Sequence, residues 1–355
     1  VKGEWQSLLD PPTLEQLIAA VTPVDEAARA DAQRRSDQLA KPPGSLGRLE
    51  TLGAQLSAIA HRCPPPVPQH PWLLLAAADH GVHPEGVNAW PQHVTAAIVD
   101  AACTGRSVSA VLARAAGIQM TVLDVGLAHP TGDHAHLVRR PVRAGTRNLA
   151  VEDAMTPGEL RAAIAAGADA ALGMINNEAD LLLLGEVGMT NTTSSACLVA
   201  VATGRPAAEV TGTGAGADEA TLRRKVQIVE HAVRRCMGRG PLEVLAAVGG
   251  YEHAALIGAI LAAAAHRVPI VLDGVVTNAA ALYAVQLQPR VADYLVASHR
   301  SSEAGAAAAL THLQLAPLLD LQLRLGEGSG ALLAAHLVLA AAAVLTETAT
   351  LQDLV

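Results

Sequence analysis

The spacing of apolar and polar positions changes character near residue 64. Before it the pattern is helical: Thr13-Leu14-Glu15-Gln16 has the capping-box form, residues 24–39 are charged and amphipathic, and Lys41-Pro42-Pro43-Gly44-Ser45 interrupts before a helix over about 46–61. Pro64-Pro65-Pro66-Val67-Pro68 is a stiff run of the kind that separates lobes. Beyond it, short apolar runs at 72–78, 120–125, 181–184, 244–248, 268–272 and 294–297 read as strands, with room for a crossover helix between successive ones. This alternation predicts an α/β fold: a doubly wound, mostly parallel, Rossmann-like sheet flanked by helices. A final Ala/Leu-rich helical stretch, from Leu332 to Leu351, is expected to pack back on the N-terminal helices. The expected organisation is thus an N-terminal helical segment of a small lobe (1–63), an α/β catalytic domain (64–328) and a C-terminal helix completing the lobe (329–355).

Composition narrows the chemistry. Hydrophobic residues make up 51% of the 355, yet there is no Phe and only three Trp and three Tyr, so the core must be built from Ala, Leu and Val. A net charge of −8 with no basic run lacks the footprint of a nucleic-acid binder and points to a small molecule or another subunit as partner. Cys63, Cys103, Cys197 and Cys236 stand far apart without a CxxC, which predicts reduced thiols rather than disulfides or zinc. Val1-Lys2-Gly3-Glu4-Trp5 does not lead into a signal sequence, and the Ala-rich runs are expected to be broken before a membrane-spanning length; a soluble cytoplasmic protein follows.

The strand ends carry the candidate chemistry. Arg324-Leu325-Gly326-Glu327-Gly328-Ser329-Gly330 sets a carboxylate between glycines just before a helix, whose unpaired N–H groups are expected to face a ligand. Run 181–184 leads into Gly185-Glu186-Val187-Gly188-Met189-Thr190-Asn191-Thr192-Thr193-Ser194-Ser195, a second glycine-flanked acid followed by hydroxyl and amide donors suited to phosphate or ribose. Thr211-Gly212-Thr213-Gly214-Ala215-Gly216 is too loose for a dinucleotide fingerprint and better suits a phosphate cradle with Lys225 or a nearby Arg as counter-charge. Asp79-His80-Gly81-Val82-His83 could bind substrate or metal, although no second ligand pair lies nearby in sequence. Leu272-Asp273-Gly274 has one acid where a magnesium-diphosphate site would have two, which argues for a donor that needs no metal.

Taken in order, these loops resemble the nicotinate-nucleotide:5,6-dimethylbenzimidazole phosphoribosyltransferase family of cobalamin lower-ligand assembly. The resemblance covers most of the chain, from Lys41 to Glu50 through Ala78 to Val82, Asp124-Val125-Gly126, Gly185 to Thr193, Gly249-Gly250, Leu272 to Gly274, Ser298-His299 with Ser301 and Glu303, to Arg324 to Gly330. It implies transfer of phosphoribose from nicotinate mononucleotide to 5,6-dimethylbenzimidazole, giving α-ribazole 5′-phosphate and nicotinate without metal or cofactor. In that scheme Glu327 removes the acceptor's proton and Glu186 orders a water or stabilises the cationic ribose. The resemblance places the donor nucleotide at Gly188, Asn191, Thr192, Gly212, Gly214, Ala215, Lys225, Ser301, Arg324 and Gly326, and the acceptor base against Trp90, Ile98 and Leu325.

It also implies a homodimer, with the apolar face of 94–112 as a contact, and no membrane or nucleic-acid partner. Trp90, Ile98, Thr190 and His253 depart from what the family usually carries, which puts the acceptor in doubt more than the reaction. A non-catalytic nucleotide-binding relative, the same transfer to adenine or a phenol, and a nucleosidase using water are the alternatives.

Overall fold

The computed structural model describes residues 12–354, so the N-terminal start read above lies outside the described residues. Six strands, β1 (Pro71–Ala78), β2 (Gln119–Gly126), β3 (Leu137–Arg139), β4 (Leu181–Val187), β5 (Ile270–Leu272) and β6 (Leu295–Ala297), form one sheet in the order β3-β2-β1-β4-β5-β6. Every pairing is parallel, so the sheet is doubly wound as expected and wholly rather than mostly parallel. Strands covered on both faces need unbroken apolar sequence, and β1 reads Pro-Trp-Leu-Leu-Leu-Ala-Ala-Ala. Its Leu74, Ala76 and Ala78 join the core under helices Pro157–Asn176, Tyr251–Ala265 and Val275–Leu287. Leu73, Leu75 and Ala77 face the opposite layer, built from helices Arg48–Ala60, Val94–Cys103 and Ser329–Glu347.

A core without Phe fills its volume by bringing backbones together. Helix Tyr251–Ala265 is buried almost all round, and helix Pro157–Asn176 crosses it so closely that a Cβ at Gly167 would strike the Ala255 carbonyl and one at Gly258 the Ile164 carbonyl. All four cysteines are free thiols.

Sequence expectations change in three places. Residues 244–248 are helical, within Pro241–Val248: Pro241 sits in the first turn and the Glu243 carboxylate accepts from the Gly240 N–H at 2.7 Å, a helix-start signal that outweighs a five-residue apolar run. The edge strand β3, of three residues, is too short to show a period. Helix Ser329–Glu347 runs its full 19 residues without the expected break and is apolar enough to cross a membrane; 56% of that window is buried inside this fold, against the sheet and helix Arg48–Ala60.

Candidate active site

A cavity of about 650 Å³ opens beyond the carboxyl ends of β1 and β4, where the strand order reverses and doubly wound sheets bind ligands. Three buried carboxylates line it, Glu186, Glu303 and Glu327, and Glu303 lies beside the Lys225 ammonium. Glu186 closes β4 and is 7% exposed; Glu327 lies in the loop before helix Ser329–Glu347 and is 9% exposed.

The flanking glycines exist because these two segments touch backbone to backbone. A Cβ at Gly185 would lie 2.6 Å from the Gly328 nitrogen, and one at Gly326 would lie 2.5 Å from Glu186 Oε1. Gly326, Glu327 and Gly328 all have positive φ (82°, 58° and 72°), so the acid itself is held in a left-handed conformation between two residues that tolerate it.

Asp273, at the end of β5, holds that loop. Its Oδ1 accepts from the N–H groups of Gly330 (2.7 Å) and Ala331 (3.2 Å), its Oδ2 from that of Gly328 (3.1 Å). The helix N-terminus is therefore capped by the protein and is not presented to a ligand, contrary to the expectation above; a distant acid completing a cap leaves no local sequence signal. Ser109 was also invisible in sequence. Its Oγ reaches Glu327 Oε2 at 3.4 Å and is itself held by Ser107 Oγ at 2.7 Å, in the first turn of helix Val108–Ala116.

Electrostatics push Glu186 and Glu327 toward the neutral form. Burial raises the Glu327 pKa, opposed by the Ser109 hydrogen bond and assisted by the charge on Asp273. Glu186 is raised further, by burial first and then by Asp273 and Glu252, against the hydrogen bond that Asn191 Nδ2 donates to its Oε2.

Gly188, Asn191 and Thr192 line the cavity, as do Gly214, Ala215 and Lys225, of which Gly214 and Lys225 lie next to Thr192. Lys225 is buried; its Nζ donates to Thr192 Oγ1 (2.8 Å) and the Gly212 carbonyl (3.0 Å), and burial lowers its pKa to about 8 against the opposing charge of Glu303. Gly212 itself stands behind the wall, against Glu303. Ser301, Arg324 and Gly326 line the same cavity, with Arg324 Nη1 donating to the Gly214 carbonyl at 3.0 Å. Trp90, Ile98 and Leu325 supply apolar lining together with Val87, Val94 and Met189. Trp90 stands 53% exposed at the mouth, its Nε1 3.4 Å from the Ala215 carbonyl.

Other candidates turn away. Thr193, Ser194 and Ser195 are buried inside helix Asn191–Thr203 and offer a ligand nothing. Asp79 accepts from Thr95 (2.7 Å) and the Ala128 N–H (2.9 Å), and so braces the loop after β1. His80 points inward to Glu252 (2.7 Å) while His83 meets the Trp90 carbonyl (2.9 Å), so the pair does not converge. His80, Glu252 and His253 do bring potential ligand atoms within 4.8 Å of one another. Glu252 Oε1 is hydrogen-bonded to His80 Nε2 at 2.7 Å, and His253 Nδ1 lies 2.9 Å from the same oxygen as an ion-pair contact.

Known proteins resemble the chain over nearly its full length. A phosphoribosyltransferase family profile matches residues 21–354. The nicotinate-nucleotide–dimethylbenzimidazole phosphoribosyltransferase of Salinispora tropica is 46% identical over 353 residues, covering 95% of this chain and 97% of the relative. Its namesake from Desulforudis audaxviator is 45% identical, covering 96% and 97%. The crystal structure of the Thermus thermophilus enzyme of that name superposes with a TM-score of 0.89 at 44% identity, over 93% of this chain and 98% of that one. Fold and similarity over nearly the whole length agree: the chain belongs to the nicotinate-nucleotide–dimethylbenzimidazole phosphoribosyltransferase family.

Proposed function

We propose that this chain transfers the phosphoribosyl group of nicotinate mononucleotide to a benzimidazole-type base, releasing nicotinate and forming an α-ribazole 5′-phosphate for cobalamin assembly. The observation that carries the mechanism is that the buried carboxylates of Glu186 and Glu327 line one cavity together with the apolar side chains of Trp90, Ile98 and Leu325 and the buried Lys225 ammonium. The pyridinium of the donor leaves with the C1′–N electron pair, which neutralises its ring nitrogen, and departs as the nicotinate anion. An acceptor nitrogen forms the new bond to C1′, and the proton on the other ring nitrogen passes to Glu327. Burial raises the pKa of Glu327 and so makes it a stronger base than a solvated carboxylate.

Glu186, oriented by Asn191, is placed to face the cationic ribose as the leaving bond stretches. Two donors of the Lys225 ammonium are engaged by Thr192 and Gly212, and the third is assigned to the donor's phosphate. Trp90, Ile98 and Leu325 supply a flat apolar surface for the acceptor.

The direct test is incubation with nicotinate mononucleotide and a panel of benzimidazoles, adenine and phenols, with products identified by mass. Nicotinate release that requires an added benzimidazole supports the reading. Release without any base would make the protein a nucleosidase and overturn it. Asp273 uses both oxygens on backbone N–H groups, so turnover is expected to survive dialysis against a chelator.

A pH effect follows from Lys225. Its cation is present below its pKa of about 8 and lost above it, so kcat/KM for the anionic donor is expected to fall as pH rises through about 8. Lys225→Met should remove that limb in a pH series of initial rates; if the limb persists, Lys225 is not the group.

The homodimer remains part of this proposal. Val108 and Val111 stand exposed on helix Val108–Ala116, within the face proposed for the contact, and an elution volume of twice the chain mass would support it.

A further inference from the structure

Behind the cavity wall, three side chains closed to solvent form a polar cluster in an otherwise apolar core: His80, Glu252 and His253. Glu252 Oε1 lies 2.7 Å from His80 Nε2 and 2.9 Å from His253 Nδ1. Burial pushes the Glu252 pKa up, but the two imidazoles outweigh it and hold the acid ionised. The cluster is not isolated. His253 Nε2 lies 2.9 Å from Ser195 Oγ, and that hydroxyl donates to the Asn191 carbonyl at 3.0 Å, so it is left to accept from the His253 ring. The Asn191 side chain in turn donates to Glu186 Oε2. One line of polar contacts thus runs from His80 to the carboxylate that faces the cavity.

The turn that presents Asn191 needs such support. Thr190, the residue before helix Asn191–Thr203, has φ 74° and supplies no side-chain cap to the helix. A threonine is disfavoured in that conformation, and the first turn is not fixed by its own sequence. The Ser195 bond to the Asn191 carbonyl spans one helical turn, and His253 holds the serine from the neighbouring helix.

We propose that Ser195, His253 and Glu252 are positioning residues for Glu186, fixing the first turn of helix Asn191–Thr203 so that the Asn191 amide stays on the site carboxylate. The proposal rests on the phosphoribosyl-transfer reading and names the part of the structure that keeps Glu186 aligned with the ribose. Charges reach Glu186 from Asp273 after β5, from Glu252 on helix Tyr251–Ala265 and from Glu327 before helix Ser329–Glu347, with Asn191 its hydrogen-bond donor. Glu252 is compensated by His80 and His253. Removing one imidazole leaves more of the Glu252 charge to act on Glu186, which then holds its proton to higher pH.

The test compares wild type with His253→Leu, Ser195→Ala and the double variant, using nicotinate mononucleotide and 5,6-dimethylbenzimidazole as substrates. Each single variant is expected to lower kcat by about tenfold with KM for the donor within about twofold, because alignment rather than binding is lost. The acid limb of kcat should move to higher pH in His253→Leu, and the double variant should be no slower than the slower single, since both cut one line of contacts. Ser195→Ala removes only a hydroxyl and keeps the test available if His253→Leu does not fold. Multiplying effects in the double variant, or loss of thermal stability with the kcat profile unmoved, would overturn the proposal. Stoichiometric metal in the purified protein that disappears in His253→Leu would also overturn it, making the cluster an ion site. Wild-type turnover separates the two readings: its absence removes the transfer reading, whereas turnover with variants that titrate as wild type removes only the positioning role.

Discussion

Replacing Glu327 by Gln is expected to lower kcat by roughly a thousandfold, the middle of the range for loss of a positioned general base. The substitution keeps the shape of the side chain and a carbonyl oxygen for Ser109 Oγ, 3.4 Å away in the native site. It removes the lone pair that would accept the acceptor's ring proton, so the loss should fall on kcat, with KM for the nucleotide little changed. Folding should not suffer: removing a buried acid whose pKa burial has raised relieves desolvation, and the left-handed φ of 58° is borne by Glu and Gln alike. Steady-state nicotinate release and a thermal melt decide the matter together. A Gln variant within tenfold of wild type, with an unchanged melt, would show that the proton leaves by another route, and Glu186 would be the group to test next.

The parts of this molecule that could be read from sequence are those whose cause is local. Apolar runs at β1, β2 and β4 are long and buried on both faces, and the glycines around Glu186 and Glu327 mark places where no Cβ fits. The three residues of β3 carry no period, and 244–248 took the helical form because its start signals lie just before the apolar run. Contacts between distant segments were the harder part. Ser109 is one small hydroxyl in a helix otherwise read as a surface for self-association, and nothing near it in sequence indicates Glu327, 218 residues away. Thr193 to Ser195 are the opposite case: a hydroxyl run at a helix start suits a ligand, but helix Asn191–Thr203 is buried on every side from Thr193 to Ala200, which leaves only its first two residues, Asn191 and Thr192, at the cavity.

Asp273, a single acid where a magnesium-diphosphate site would have two, is the cap that fixes the loop carrying Glu327, and its loss has the second large effect. Asp273→Asn is isosteric, yet it is expected to destabilise the fold by on the order of 2–4 kcal/mol and to lower kcat by about a hundredfold or more. Both native oxygens accept: Oδ1 from Gly330 and Ala331, Oδ2 from Gly328. An amide has one accepting oxygen, so in either orientation its NH₂ is turned toward a backbone N–H that has lost its partner. The buried helix start must then move, and Glu327 lies beside Gly328. Gly328 has little freedom to move: a Cβ there would already be 2.6 Å from Leu73 Cδ1, and its neighbour Gly326 is pressed against Glu186. Displacement at this end of the helix therefore reaches both carboxylates. The distinguishing result is a melting temperature lowered by several degrees together with lost turnover, whereas Glu327→Gln should lose turnover alone. An Asp273→Asn variant that melts and turns over as wild type would mean that the helix start holds its position without the aspartate, and the glycine contacts with Glu186 and Leu73 would then suffice to place the base.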